Sequence, residues 1–278
     1  MSGQKAVLCE IIDRLLFSIL GVMTKSAKPV IKSLLKPRTS ASFSPLYKQI
    51  KDLLLQSLES GEFKPGAMIP SEQELAVRFK VSQGTVRKAI DELSAENVLL
   101  RRQGKGTFVA THHEPQVRYR FLRMATDLPG GVKRTKSIIL SCQVQAPSQK
   151  QQAIFELEEG QQVICVKRVM YLSDAPAVYE EIYLPEEFFK GMTFELLNSE
   201  KIPLYGLFES HFGVQLLRCD EKLRAVSAPR DVAHHLEVKE GTPLLSIERV
   251  AYTYGEKPVE IRKGLYLTEH YYYRNSLN

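Results

Sequence analysis

Residues 71–110 hold the pattern that most constrains this chain: two short amphipathic stretches separated by a tight turn, then two β-prone runs hinged on glycine. Ser71 followed three residues later by Glu74 has the spacing of a capping box, and Leu75, Ala76 and Phe79 give one apolar face, which predicts a helix over 71–79. "KVSQ" turns the chain. Val86, Ala89, Ile90 and Leu93 then recur at helical period while Thr85, Arg87 and Lys88 fall on the other side, predicting a helix over 82–97. Two helices joined this closely form a helix-turn-helix. Upstream, Ser44-Pro45 pairs a capping residue with Pro at the first helical position, and Leu46, Ile50, Leu53, Leu54 and Leu58 repeat until Gly61, predicting one more helix. Downstream, Val98 to Arg102 and Thr107 to Ala110 flank "QGKG", whose glycines permit a hairpin turn. A hairpin in that place is a wing, and it can set Arg101, Arg102 and Lys105 against phosphates or in a minor groove.

Charge is placed to match. The 278 residues carry a net +6, but residues 1–110 hold 17 Lys and Arg against 10 Asp and Glu, and the rest is nearly balanced at 21 against 22. A polyanion is drawn to the first part alone. At 44% hydrophobic and 25% charged the composition is globular, which excludes a disordered chain, and 16 Gly with 14 Pro exclude a collagenous one. Cys9, Cys142, Cys165 and Cys219 have no metal-ligand or short-loop spacing and read as reduced thiols of a cytoplasmic protein. The pairs His112 with His113 and His234 with His235 lack metal-site spacing, so no metal and no cofactor is expected. Ala6 to Met23 forms an apolar stripe at helical period but is interrupted by Glu10, Asp13 and Arg14, so it reads as an amphipathic helix rather than a membrane span. That helix is expected to pack on the chain's own body or a dimer mate; a membrane-surface role and an over-extended translation start are the rival readings. Residues 24–43, rich in Lys, Pro and Ser, complete a segment 1–43 ahead of the organised protein.

Residues 111–118, "THHEPQVR", break every period and are assigned as the linker between a first domain at 44–110 and a second at 119–278. In the second domain β-rich runs such as "SIILSCQVQ", "QVICVKRVMYL", "AVYEEIYLP", "PLLSIERVAYTY" and "VEIRKGLYL" alternate with helical stretches near 148–156, 186–198, 204–212 and 228–236. This is an α+β pattern with a largely antiparallel sheet. "SDAPAVYEE" and "GEKPVEI" are two similar hairpin cues, which suggests a duplicated sheet unit.

On these residues the chain resembles the GntR family of bacterial transcription regulators. Residues 44–110 are similar to the family's winged helix from first helix to wing tip, and "VKRVMYLSDAPAVYEEIYLP", "PLYGLFESHFGV" and "LLSIERVAYTYGEKPVEI" resemble the effector-binding (UTRA) domain of its HutC subfamily, of chorismate-lyase-like fold. The resemblance implies DNA contacts from Gln73, Ser82, Gln83, Thr85, Arg87, Lys88, Arg102, Lys105 and Gly106. Gln73 and Gln83 stand where arginine is usual, which shifts the expected readout from guanine toward adenine. It implies an effector pocket gathering Arg168, Tyr179, Glu181, Tyr205, Arg249 and Glu260 around a small polar or anionic metabolite. Pro203 replaces a serine found in members that bind sugar phosphates, which argues against such a ligand. The function implied is a ligand-responsive repressor that binds a near-palindromic operator as a homodimer. An enzyme using the lyase-like second domain is the alternative, with no nucleophile–base pair, metal set or phosphate loop to support it.

Overall fold

The computed structural model describes residues 44–112, 123–127, 135–200 and 202–275. The amphipathic segment Ala6 to Met23, the rest of 1–43 and the 113–118 part of the expected linker lie outside them.

The N-terminal module is α1 (Leu46–Glu59), α2 (Glu72–Phe79), α3 (Gln83–Ala95), β1 (Leu99–Arg102) and β2 (Gly106–Val109). Pro45, rather than Ser44, is the N-cap of α1: its ψ of 142° is extended, so the helix begins one residue later than expected and without a side-chain cap. The capping box of α2 is present, with the Glu74 N–H donating to Ser71 Oγ at 3.3 Å and the Ser71 N–H donating to Glu74 Oε2 at 2.8 Å. Lys80 takes the left-handed conformation that turns the chain, and Ser82 caps α3 by accepting from the Thr85 N–H at 3.2 Å. Leu54, Leu75, Val86, Ile90, Leu93, Leu99 and Val109 are all nearly inaccessible and form one core. Each contributes on the order of 1.5–3 kcal/mol by leaving water, so the helical stripes seen in the sequence hold this module together.

The second module runs β3 (Met124–Ala125), β4 (Thr135–Gln145), α4 (Gln149–Phe155), β5 (Val163–Leu172), β6 (Ala175–Pro185), a 3-10 turn Glu186–Phe188, α5 (Phe194–Ser199), α6 (Leu204–Phe212), β7 (Arg218–Ser227), α7 (Arg230–His235), β8 (Pro243–Tyr252), β9 (Pro258–Tyr266) and β10 (Tyr272–Tyr273). Six strands make one antiparallel sheet in the order β4-β5-β6-β9-β8-β7, and β3 pairs with β10. The order consists of two strand–helix–strand–strand units, β4-α4-β5-β6 and β7-α7-β8-β9, joined through β6 and β9. Their turns correspond: Glu156 and Glu237 are left-handed at φ 55° and 57°, and Gly160 and Gly241 follow four residues later at φ 86° and 83°. The ladder shifts register between Met170 and Tyr171 in one unit and between Ala251 and Tyr252 in the other. The repeat suggested by two hairpin cues thus extends to whole units. Strand β7 was not expected, because its polar sequence offers no apolar run; it forms an outer edge of the sheet and is mostly exposed.

Helices cover the sheet on both sides. Phe189, Leu207 and Phe208 pack over Ile164, Val166, Ile182 and Leu184 on one face. On the other, α7 lies over Val169, Tyr179 and Leu265, and Phe155 of α4 over Val163. Across this second face Lys222, Glu248, Lys263, Glu181 and Lys167 stand side by side on five successive strands with alternating sign. Lys167 Nζ is 3.2 Å from Glu181 Oε1.

Candidate functional site

Two sites emerge, one on each module. On the first, α3 presents Gln83, Arg87 and Lys88 to solvent, while the N-terminal ends of α2 and α3 and the wing enclose a groove lined by Gln73, Gln83, Arg101, Arg102 and Gly106. Glu72, at the first position of α2, organises this surface. Its carboxylate accepts from Arg87 Nε at 2.9 Å, Gln83 Nε2 at 3.2 Å and Arg101 Nη2 at 3.0 Å. The Arg87 hydrogen bond leads the causes that hold the Glu72 carboxyl below its usual range. Other groups have local tasks. The Ser82 and Thr85 hydroxyls are 2.8 Å apart within the cap of α3, the Lys88 ammonium sits 4.0 Å from the centre of the Tyr47 ring, and Arg102 lies 4.5 Å from that of Phe108. Gly106 has φ 108°, and a Cβ there would stand 3.1 Å from Met68 Sδ, so the wing requires glycine at this point. Lys105 is exposed beside it on the turn. Glu72 was missed in the sequence because an acidic residue in the first turn of a helix reads as a dipole partner; only the fold brings two arginines to it.

On the second module a cavity of about 910 Å³ opens between α5, the start of α6 and the face of the sheet carrying Arg168, Arg249 and Arg262. Its floor is one hydrogen-bonded chain. Arg168 Nε donates to Glu180 Oε2 at 2.6 Å, and Arg262 Nη1 donates to Glu180 Oε1 at 3.1 Å. Arg262 reaches on to Glu260, Nε to Oε1 at 3.0 Å and Nη2 to Oε2 at 2.7 Å. The Tyr205 hydroxyl donates to Glu260 Oε1 at 3.0 Å and accepts from Arg249 Nη1 at 3.0 Å, and Arg249 Nε donates to Glu221 Oε1 at 2.8 Å. Three guanidinium groups thus face three carboxylates, all buried. Burial alone would push the Glu180 carboxyl up, but Arg168 and Arg262 overcome it and hold it at about 2. Burial works against the charge on Arg249 and Arg262, yet their partners carry both well above the ordinary value. Burial drives the Tyr205 hydroxyl up, so it stays protonated.

Of the six residues singled out for this pocket, Arg168, Tyr205 and Arg249 line the cavity and Glu260 stands directly behind it. Tyr179 and Glu181 do not reach it. They lie on the opposite face, where the Tyr179 ring stacks on His235 at 5.6 Å and Glu181 pairs with Lys167. Side chains alternate along a strand, so the neighbour Glu180, not Tyr179 or Glu181, points into the cavity. Arg262 and Tyr266 also line it and were missed; Arg262 is two residues from Glu260, a same-face spacing the sequence does display. Pro203 is at the wall, as the N-cap of α6. Among the described residues no group of three His, Cys, Asp or Glu side chains is placed to hold a metal, and no helix is long and apolar enough to cross a membrane. His112, assigned to the polar linker, is buried. The Cys142 thiol, pushed up to about 11 mainly by burial, is protonated at neutral pH.

Comparison with known proteins bears on both modules. Residues 46–109 match the family model of bacterial regulatory proteins of the gntR family, and residues 131–272 match that of the UTRA domain. The chain is 30% identical to the HTH-type transcriptional regulator Rv0792c of Mycobacterium tuberculosis, over 81% of this chain and 82% of that one. It is 27% identical to the HTH-type transcriptional repressor NagR of Bacillus subtilis, over 82% and 92%. Among solved structures, a ligand-binding domain assigned to a GntR-family transcriptional regulator of Bordetella bronchiseptica is 48% identical, with a TM-score of 0.56, covering 58% of this chain and 99% of that domain.

Proposed function

The chain belongs to the gntR family of bacterial regulatory proteins, and from that premise we propose that it is a repressor, acting in the cytoplasm as a homodimer on a near-palindromic operator and released by a small polar or anionic metabolite. It is a DNA-binding regulator with a UTRA domain rather than an enzyme. The observation that carries the metabolite reading is the walled cavity, whose floor sets buried arginines and a tyrosine beneath an opening lined by Lys136 and Ser137. A preformed concave site with few, fixed polar groups is what a small ligand needs. The arginines are already matched by carboxylates, so the ligand adds hydrogen bonds to an existing network instead of neutralising bare charge. Arg168 Nη1, 3.5 Å from Ser137 Oγ, faces the space where a carboxylate or hydroxyl would sit.

For the DNA contacts, Gln73, Gln83, Arg87, Arg102 and Lys105 supply base and phosphate contacts, with Ser82 and Thr85 fixing the start of α3 and Gly106 letting the wing approach. A two-fold dimer would present two such surfaces to half-sites about one helical turn apart. Selection of binding sites from random duplexes at near-physiological salt tests this. The expected result is an enriched inverted repeat with adenine at the bases met by Gln73 and Gln83. A purified chain that enriches no motif would contradict the reading.

A further inference from the structure

Helix α6 spans the distance between the cavity and the winged helix. Its first turn, Leu204 and Tyr205, walls the cavity. One turn later Glu209, which is buried, accepts hydrogen bonds from the Thr111 hydroxyl and from the His112 backbone N–H, the latter at 2.8 Å. Thr111 and His112 follow the return strand of the wing after one residue, Ala110, and the His112 ring packs on Tyr205 with centroids 5.6 Å apart. Residues four apart share a helix face, so the cavity wall and the grip on the winged helix are on the same side of one short rigid body.

A second joint lies close by, in the segment that leaves α6 after Gly213, and it is held by a residue of a different element. Gln215 Nε2 donates to the Ala110 carbonyl, and Gln215 Oε1 accepts from the Tyr254 hydroxyl at 2.5 Å. Tyr254 and Leu217 pack on the winged-helix core itself. This joint is tied to the turn between β8 and β9, which does not touch the cavity; the Glu209 joint is tied to the helix that forms the cavity's wall.

We infer that Glu209 is a positioning residue that transmits occupation of the cavity to the wing, with Gln215 and Tyr254 as the pivot. The inference rests on the reading of the cavity as the effector site. A ligand that displaces Tyr205 carries Glu209 with it, because the helix moves as a unit. Thr111 and His112 then follow while Ala110 stays at the pivot. The ligand's preference for one arrangement of α6 is thereby a preference for one arrangement of the winged helix, which is what a differential affinity requires.

The test uses the full chain with a cavity filler in place of the unidentified ligand. Ser137 lines the cavity from β4, across from α6, so Ser137→Trp occupies the space without touching the joint. Hydrogen exchange of the segment 106–112 is followed by mass spectrometry with and without the filler, in the wild-type, Glu209→Gln and Thr111→Val backgrounds. The filler is expected to change exchange of this segment about fivefold in the wild type and less than about twofold in either variant. A purely structural Glu209 would shift the baseline rate yet leave the response to the filler intact, and equal responses in all three backgrounds would overturn the inference while leaving the cavity as effector site. No response in any background would overturn it together with the effector reading.

Discussion

Arg168 and Arg249 occupy the same position in two copies of one structural unit: each lies three residues before the residue that ends its ladder's register shift, and both line the same cavity. The duplication has placed a guanidinium on each side of the sheet's centre line. Their partners differ, since Arg168 meets Glu180 and Arg249 meets Glu221 and the Tyr205 hydroxyl. The cavity is therefore pseudo-symmetric in its cations and asymmetric in what answers them.

Arg262 is the member of the floor with two carboxylate partners, and removing it leaves Glu180 short of one guanidinium and Glu260 without its bidentate one. Arg262→Ala should destabilise the chain by about 3–5 kcal/mol, the usual cost of breaking a buried pair from one side. Urea unfolding monitored by circular dichroism measures it; a loss below about 1 kcal/mol would show that water replaces the guanidinium without penalty.

Glu180 sets an acid limit. Its carboxyl lies at about 2 in the folded chain, below the ordinary 4.5, so the stability it contributes is complete above pH 4.5 and is lost as pH falls toward 2. Stability measured from pH 6 down to 2 should fall steeply in that window, and Glu180→Gln should flatten the fall while lowering stability at pH 6.

Arg87 and Lys105 should behave differently on DNA. Arg87→Ala is expected to cost about 1–3 kcal/mol on the selected operator and to relax its specificity, whereas Lys105→Ala should weaken all sequences about equally and lower the salt slope by about 1. Titrations at several salt concentrations separate the two outcomes.

Glu72 holds Arg87, Gln83 and Arg101 in one orientation. Glu72→Gln removes a negative charge from the proposed DNA-binding surface, so binding to random duplex should tighten, while binding to the operator should gain less or fall. The ratio of the two affinities is expected to drop about tenfold; an unchanged ratio would mean that Arg87 finds its orientation on the DNA alone.

The winged helix was legible almost residue by residue, because helical stripes and caps act locally: Ser71 with Glu74 and the apolar set of α3 occur where the spacing put them. The sheet was legible as runs, but its faces were not. β5 and β6 are covered on both sides by helices, so apolar residues occupy both parities and hydrophobicity does not reveal which of Tyr179, Glu180 and Glu181 points inward. The resemblance supplied Tyr179 and Glu181 to the expected pocket, and the strand's pattern held no cue that would have pointed to Glu180 instead. Thr111 and His112 read as linker because polar residues beside a proline-containing stretch give no local sign of burial; their partner Glu209 is 98 and 97 residues away.

The alternating row Lys222, Glu248, Lys263, Glu181 and Lys167 has a consequence for how the sheet assembles. If β9 slid by two residues, Lys263 would give way to Ile261 or Leu265 between Glu248 and Glu181, setting an apolar side chain between two carboxylates. If it slid by one, Arg262 would leave the cavity for the opposite face of the sheet. The ladder on one face and the arginine floor on the other thus act as two keys cut on alternate teeth of the same strands, and only the native alignment turns both.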